Sequence, residues 1–422
     1  MSARPSIERP PARTSHRRVT FLVCQGAARE HELVTQRGVA ARIAALLGCE
    51  QGEDQCCSEP PQPIGYAVPS ATLTSLGDAW RWGLRSEADL FGGVVPAPFV
   101  ATKAITHPLI AAEAAAPAGW RHDFPERVAD VVLPGWSAFT LDGARRAGHR
   151  LLRGGPVRIK LASGVGGAGQ WVVRDAAALD ERLGALAHVD AVGDGVVIER
   201  HLEDVVTYSV GLVSVGTLQI SYFGTQENTR NRDGREVYGG STLTVTRGGF
   251  DALDRLAGAD AGRRRAVALA RVYHAAAFDC FAGMFASRCN YDVVEGRDST
   301  GAALAGVLEQ SWRIGGASGA EVAALEALQA DPDLEVVRAC TVERYGAGMP
   351  AEVEGEADAA ERGDLAGACQ VLLLAAAPAV HEQHARDARA GRDHGPGDRA
   401  RADRDLNLVL VGRHGPRGAR TW

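Results

Sequence analysis

Lysine is almost missing: the 422-residue chain has two, Lys103 and Lys160, against 44 arginines. Long apolar runs are missing as well. No stretch approaches the roughly 18 apolar residues of a membrane-spanning helix, and the longest, Val371–Val380, is broken by Pro378. The eight cysteines (24, 49, 56, 57, 280, 289, 340, 369) contain no CxxC pair and no regular spacing. They read as reduced, mostly buried thiols of a cytoplasmic protein, and the length with 45% hydrophobic content excludes a small disulfide scaffold. The first 18 residues are rich in Pro, Arg and Ser with no apolar stretch behind them, so no secretory signal is expected. Neither charge sign dominates a block in the first 345 residues, and the formal net charge is −6. Composition therefore gives no reason to expect a nucleic-acid protein.

What is present is ordinary for a soluble α/β chain. A hydrophobic fraction of 45% is enough for a real core, and the length admits two or three domains of roughly 100–200 residues each. Val19–Cys24 is an apolar run followed by helical spacing over Glu30–Leu47, a strand–loop–helix opening. Ile64–Val68 reads as a strand and Leu76–Leu90 as a helix, and Gly92–Pro98 punctuates the chain before Lys103. Further on, Ala138–Leu152 predicts a helix, Val157–Leu161 a strand, Trp171–Val173 a strand, Asp175–Leu186 a helix and Val196–Glu199 a strand. Between 205 and 247 the pattern alternates as in an antiparallel sheet, with strands at Tyr208–Val215, Leu218–Phe223 and Thr242–Thr246. Ala266–Phe278 and Glu321–Leu328 read as helices, and Asn290–Val294 with Val307–Gln310 as a strand pair. Residues 381–422 hold nine arginines, six acids and four histidines with little apolar periodicity, the composition of a disordered segment. A basic nucleic-acid-binding arm is the sharper alternative, weakened by the interspersed acids.

Two constellations carry chemistry. The first is Pro156–Val173, where a strand ends in Lys160 and runs into Gly164, Gly166, Gly167 and Gly169. Backbone N–H groups can approach a phosphate closely at glycines, and an ammonium beside them adds charge. An ordinary turn between strands would use glycines too, and this is no Walker A loop, because the lysine precedes the glycines. A lysine retained against so strong an arginine background suggests a need for a compact, flexible ammonium. The second constellation is Asn290-Tyr291-Asp292 followed by Gly306–Ser318, with Glu309, Ser311 and Arg313. Carboxylates on successive strands can share a hard cation such as Mg²⁺ with substrate phosphates, or simply be solvated strand-end acids. Ser318-Gly-Ala-Glu321 has the pattern of a capping box, and a helix N-terminus there could also hold an anionic substrate.

Together these motifs resemble the ATP-grasp superfamily over about residues 100–330. Lys103 matches its early lysine and Lys160 its loop lysine. Val197–Leu202 resembles the hinge whose glutamate, here Glu199, and following backbone at Arg200 and Leu202 receive adenine. Asp292 and Glu309 match the metal acids, and Arg313 the terminal arginine. Ser311 stands where the superfamily usually has asparagine, and Thr207 where many members carry an acid for the ribose. The wording Phe223–Thr229, Tyr238–Ser241 and Glu309–Arg313 looks like a bacterial branch loosely labelled biotin-carboxylase-like.

The resemblance implies an α/β (α+β) ATP-grasp fold with a Rossmann-like pre-ATP-grasp domain over 19–100 and an ATP-grasp domain over 101–345. Within the latter, a glycine-loop lid would cover about 135–200 and a metal-binding part about 205–345, with a disordered tail over 346–422. It implies ATP and Mg²⁺ (or Mn²⁺) as cofactors, and a ligase that activates a carboxylate as an acyl phosphate for attack by an amine or other nucleophile. Lys160 and Arg313 would be catalytic, and Lys103, Lys160, the four glycines, Glu199, Arg200 and Leu202 would hold the nucleotide. Asp292, Glu309 and Ser311 would hold the metal, while Gln226, Tyr238 and Ser318 are substrate-facing candidates. Partners would be small-molecule carboxylates and nucleophiles, with a homodimer as one assembly state. The rival functions are a non-ligating ATP sensor of the same fold and a nucleic-acid-associated protein acting through the tail.

Overall fold

An apolar run such as Val19–Val23 is best satisfied by a strand covered on both faces. The computed structural model describes residues 18–24, 30–164, 169–187, 192–230, 236–345 and 367–377, and makes this run β1 (Arg18–Val23). Helix α1 (Glu30–Leu46) follows. Two short strands, β2 (Glu50–Gln51) and β3 (Gln55–Cys56), pair in parallel with one edge of β1, and β4 (Tyr66–Pro69) takes the other. The expected helix over Leu76–Leu90 is shorter: α2 covers Leu76–Arg81. It ends because Gly83, at φ +84°, turns the chain left-handed. Past β5 (Gly93–Val94) and α3 (Asp123–Val128), β6 spans Gly135–Ala138 and α4 spans Leu141–Leu152. Ala138, expected at the start of that helix, is instead the end of the strand. Thr140 decides this, its Oγ1 accepting the Gly143 N–H at 3.1 Å as an N-cap worth about 1 kcal/mol.

The next elements are β7 (Val157–Leu161), β8 (Gln170–Val173), α5 (Ala176–Ala187) and β9 (Val196–Arg200). Strands β6, β9, β7 and β8 lie side by side in that order as an antiparallel sheet. The alternating region builds three long strands, β10 (Glu203–Val215), β11 (Leu218–Arg230) and β12 (Glu236–Arg247). Helix α6 (Phe250–Ala257) lies where no element was expected, and α7 covers Ala261–Cys280. After β13 (Phe285–Ala286) come β14 (Arg288–Arg297), β15 (Ala303–Ser311), α8 (Ser318–Ala330), β16 (Val336–Tyr345) and β17 (Gly367–Ala377). A seven-stranded antiparallel sheet runs β15-β14-β10-β11-β12-β16-β17.

The final strand corrects one expectation. Within the tail expected to be disordered, Gly367–Ala377 pairs along the whole of β16; its apolar run suits a sheet edge, and the polar composition around it masked that. Residues 346–366 and 378–422, including the arginine-rich stretch, lie outside the described residues.

One core ties the N-terminal sheet to the large one. Val19, Phe21, Ile43 and Tyr66 pack with Val213, Tyr222, Leu243 and Val245 of the large sheet and with Ala320, Val322 and Leu325 of α8. A second core packs α3 and α7 on the other side of β10, β14 and β15. Among the described residues no helix is long and apolar enough to cross a membrane.

Candidate active site

Lys160 sits near the end of β7, opposite Val197 of β9, and strand alternation puts Glu199 on the same face one step along. Lys160 Nζ meets Glu199 Oε1 at 2.6 Å, and His107 Nε2 meets Glu199 Oε2 at 3.3 Å. All three residues are at most 3% exposed. Burial alone would push the Glu199 carboxyl up, but the Lys160 charge and the His107 hydrogen bond outweigh it and hold it down at about 2. The sign of the consequence is definite. A carboxylate depressed in the fold stabilises it fully above its unfolded value of 4.5, and that contribution fades as pH falls towards 2, up to roughly 3 kcal/mol. Urea unfolding of Glu199→Gln should therefore show a deficit against the parent protein at pH 7 that narrows below pH 4; a constant deficit across pH would contradict this.

Lys103 opens a 3₁₀ turn, Lys103–Thr106, capped by Thr102. Its Nζ donates to the Gly164 carbonyl at 2.5 Å and pairs with Glu309 Oε2 at 2.6 Å. One buried ammonium thus joins the glycine loop to β15. The turn is clamped from behind: Gln310 Nε2 donates to the Val100 and Thr102 carbonyls, and Tyr273 Oη donates to Gln310 Oε1. Gly169 closes the β7–β8 loop at φ +70°, where Leu161 crowds its Cα. Gly166 and Gly167 lie outside the described residues.

Asp292 on β14 is the register partner of Glu309 on β15. Asp292 Oδ1 accepts from Gln226 Nε2 at 2.7 Å and Asn290 Nδ2 at 2.9 Å. Burial, then the Glu309 charge, raise its carboxyl to about 6 despite those bonds. Burial also opposes ionisation of Glu309, but Lys103 prevails and holds that carboxyl below its usual range. Among the described residues Glu309 is paired with Lys103, whereas Asp292 is held by hydrogen bonds alone. Arg313 faces the same region: burial, then the Arg288 charge, lower its guanidinium, with Glu309 and Asp292 acting against them. Its side chain makes one hydrogen bond among the described residues, to the Ile314 carbonyl at 2.8 Å.

Other expected residues are placed less directly. The Arg200 guanidinium turns to the carbonyls of Leu151 and Pro156, its own N–H donates to Pro134 O, and Leu202 packs with Leu133 and Val294. The Tyr238 hydroxyl lies 2.7 Å from Ser241 Oγ, and its ring rests on Gly316. Ser318 is buried, its Oγ accepting the Gly315 N–H at 3.0 Å. The capping box is corrected here: Glu321 does not reach back to the helix start, because Arg288 claims it.

That claim belongs to a network the motifs did not announce. Arg288, 2% exposed, donates from Nε and Nη2 to Glu321, itself 0% exposed, and from Nη1 to Ser311 Oγ and the Arg313 carbonyl. The Tyr222 hydroxyl, with its single proton, lies 2.6 Å from Glu321 Oε1 and 2.8 Å from Asn290 Oδ1, and Asn290 donates to Asp292. Tyr222 lies flat over Gly211, where a Cβ would come within 2.2 Å of the ring. The signal was legible in the alternation of β14, with Arg288, Asn290 and Asp292 polar against Cys289, Tyr291 and Val293 apolar. His107 offered no comparable signal.

A divalent cation fits this donor set in one way. Among the described residues no group of three His, Cys, Asp or Glu side chains could hold a metal. Two carboxylates in register on adjacent strands suit a hard cation that completes its shell with water and phosphate oxygens, as Mg²⁺ does.

Several solved structures resemble the chain. A D-alanine–D-alanine ligase from Bacillus anthracis matches at 12% identity over 74% of this chain and 92% of that one, with a TM-score of 0.43. N5-carboxyaminoimidazole synthase from Aspergillus clavatus, in complex with ADP and 5-aminoimidazole ribonucleotide, matches at 14% identity over 88% and 97%, TM-score 0.47. The biotin carboxylase domain of the Hydrogenobacter thermophilus 2-oxoglutarate carboxylase, with MgADP and bicarbonate, matches at 13% over 78% and 75%, TM-score 0.47. No curated protein matches. A family profile described as "Protein of unknown function (DUF3182)" matches residues 20–360. The chain belongs to the DUF3182 family.

Proposed function

We propose that the chain is an ATP- and Mg²⁺-dependent ligase of ATP-grasp type that activates a carboxylate as an acyl phosphate for displacement by an amine or another nucleophile. The observation that carries the reading is Lys103, whose one ammonium touches both the Gly164 carbonyl and Glu309. In this reading Lys103, Lys160 and the glycine loop neutralise phosphate, and Glu199 with the backbone of Arg200 and Leu202 receives the base. Asp292 and Glu309 hold the cation, and Arg313, with one side-chain hydrogen bond among the described residues, stabilises the negative charge of the transferring group. When bound, the cation would offset phosphate charge. Residues 135–200 form the lid, 205–345 the metal-binding part and 19–100 the preceding domain, and the protein works in the cytoplasm on small-molecule substrates.

Purified protein with ATP·Mg²⁺ and pools of amino acids, polyamines and bicarbonate should release ADP and phosphate in at least one pool. The second reading, a nucleotide sensor that does not ligate, is favoured by one observation: Ser311 already accepts a hydrogen bond from Arg288 at 3.2 Å, which weakens it as a metal ligand. Tight nucleotide binding with no turnover in any pool would select the sensor, and no nucleotide binding at all would refute both.

A further inference from the structure

Cys24 directly follows β1 and Cys57 directly follows β3. These strands run parallel with Leu22 beside Gln55 and Val23 beside Cys56, and the Cys57 N–H donates to the Val23 carbonyl at 2.9 Å. The register therefore carries on to set Cys24 beside Cys57. Neighbours across a strand pair stand about 5 Å apart, inside the roughly 4.4–6.8 Å Cα separation over which a disulfide closes. Both side chains pack against the same apolar cluster, with Leu22, Ala67 and Leu84, so they share a face of the sheet. Cys56 is turned to Ser58 Oγ, 2.9 Å away. Unlike the buried Cys280, Cys289 and Cys340, the residues Cys24 and Cys57 are only half-buried. The neighbouring Cys57 thiol brings the Cys24 thiol below its ordinary value, while Cys24 and burial push Cys57 up. The pair is thus asymmetric, one sulfur disposed to ionise and the other to keep its proton.

We propose that Cys24 and Cys57 form a reversible disulfide, with Cys24 the thiol oxidised first by a hydroperoxide and Cys57 the resolving thiol. The Cys24 sulfur attacks one peroxide oxygen; the O–O bond breaks, Cys24 becomes a sulfenic acid, and the other oxygen leaves as water carrying the thiol proton. The Cys57 sulfur then attacks the sulfenic sulfur. The S–O bond breaks, a second water leaves with the Cys57 proton, and the S–S bond forms. The two thiols supply the two electrons that reduce one hydrogen peroxide, and a dithiol reductant returns them. The inference is independent of the nucleotide reading.

The full-length protein is treated with hydrogen peroxide, alkylated under denaturing conditions and mapped by mass spectrometry. A Cys24–Cys57 linked peptide that dithiothreitol removes is expected, with Cys280 and Cys289 still alkylated. In Cys57→Ser, dimedone should label Cys24, and Cys24→Ser should slow peroxide consumption at least roughly ten-fold. Retention of a fully alkylatable Cys24 after oxidation, or linkage of Cys56 to Cys57 instead, would overturn the proposal.

Discussion

Lys160→Arg is expected to weaken ATP binding by roughly 10- to 100-fold, the scale of one charge-assisted hydrogen bond of about 1.5–3 kcal/mol, although formal charge is unchanged. Lys160 is 3% exposed and its Nζ is fixed at 2.6 Å from Glu199. A guanidinium is planar, wider and carries its donors in a fixed fork, so it can keep Glu199 only by pushing β7 from β9 or by swinging away from the glycine loop. Calorimetric titration with ATP·Mg²⁺ measures the loss, and urea unfolding of the same sample separates it from a folding defect. Parental affinity and turnover in this variant would return the two lysines to an accident of composition.

The larger effect on the fold should come from Arg288→Met. Removing one member of a buried ion pair leaves the other charge without compensation, at about 3–5 kcal/mol, and Glu321 is 0% exposed with Tyr222 as its one remaining side-chain donor among the described residues. Replacing both partners is a different experiment, because an apolar pair of similar volume is often neutral or better. The double change Arg288→Met with Glu321→Leu should recover most of the urea stability. It should not recover nucleotide-linked behaviour, since Ser311 Oγ and the Arg313 carbonyl lose the donor that fixes them. Equal destabilisation in the single and double variants would mean that the pair is held for packing alone.

The sequence made the elements with strong periodicity easy to read: α1, the β7–β8 hairpin and the β14–β15 pair lie within a residue or two to four of where apolar spacing puts them. Boundaries moved where a single side chain or glycine decides them, as Thr140 and Gly83 do. The site was legible where a residue type is rare. Two lysines in 422 residues stand out, whereas Arg288 is one arginine among 44, and its burial depends on Glu321 arriving from a helix 33 positions later. His107 meets Glu199 across 92 positions, a long-range contact that no local pattern encodes. The Cys24–Cys57 neighbourhood escaped for the same reason, since parallel pairing, not spacing, brings the two thiols together.

The double attachment of Lys103 has a thermodynamic corollary. An ammonium bonded to the Gly164 carbonyl and to Glu309 makes the loop's position and the carboxylate's charge two readings of one free energy. On the proposed reading, in which Glu309 holds a cation, anything that draws Glu309 away changes how firmly the loop is held, and anything that lifts the loop changes the cation's affinity by the same factor, because such coupling is reciprocal. Loop mobility measured with and without a divalent cation, and cation affinity measured with the loop free or crosslinked, are then the same experiment seen from its two ends.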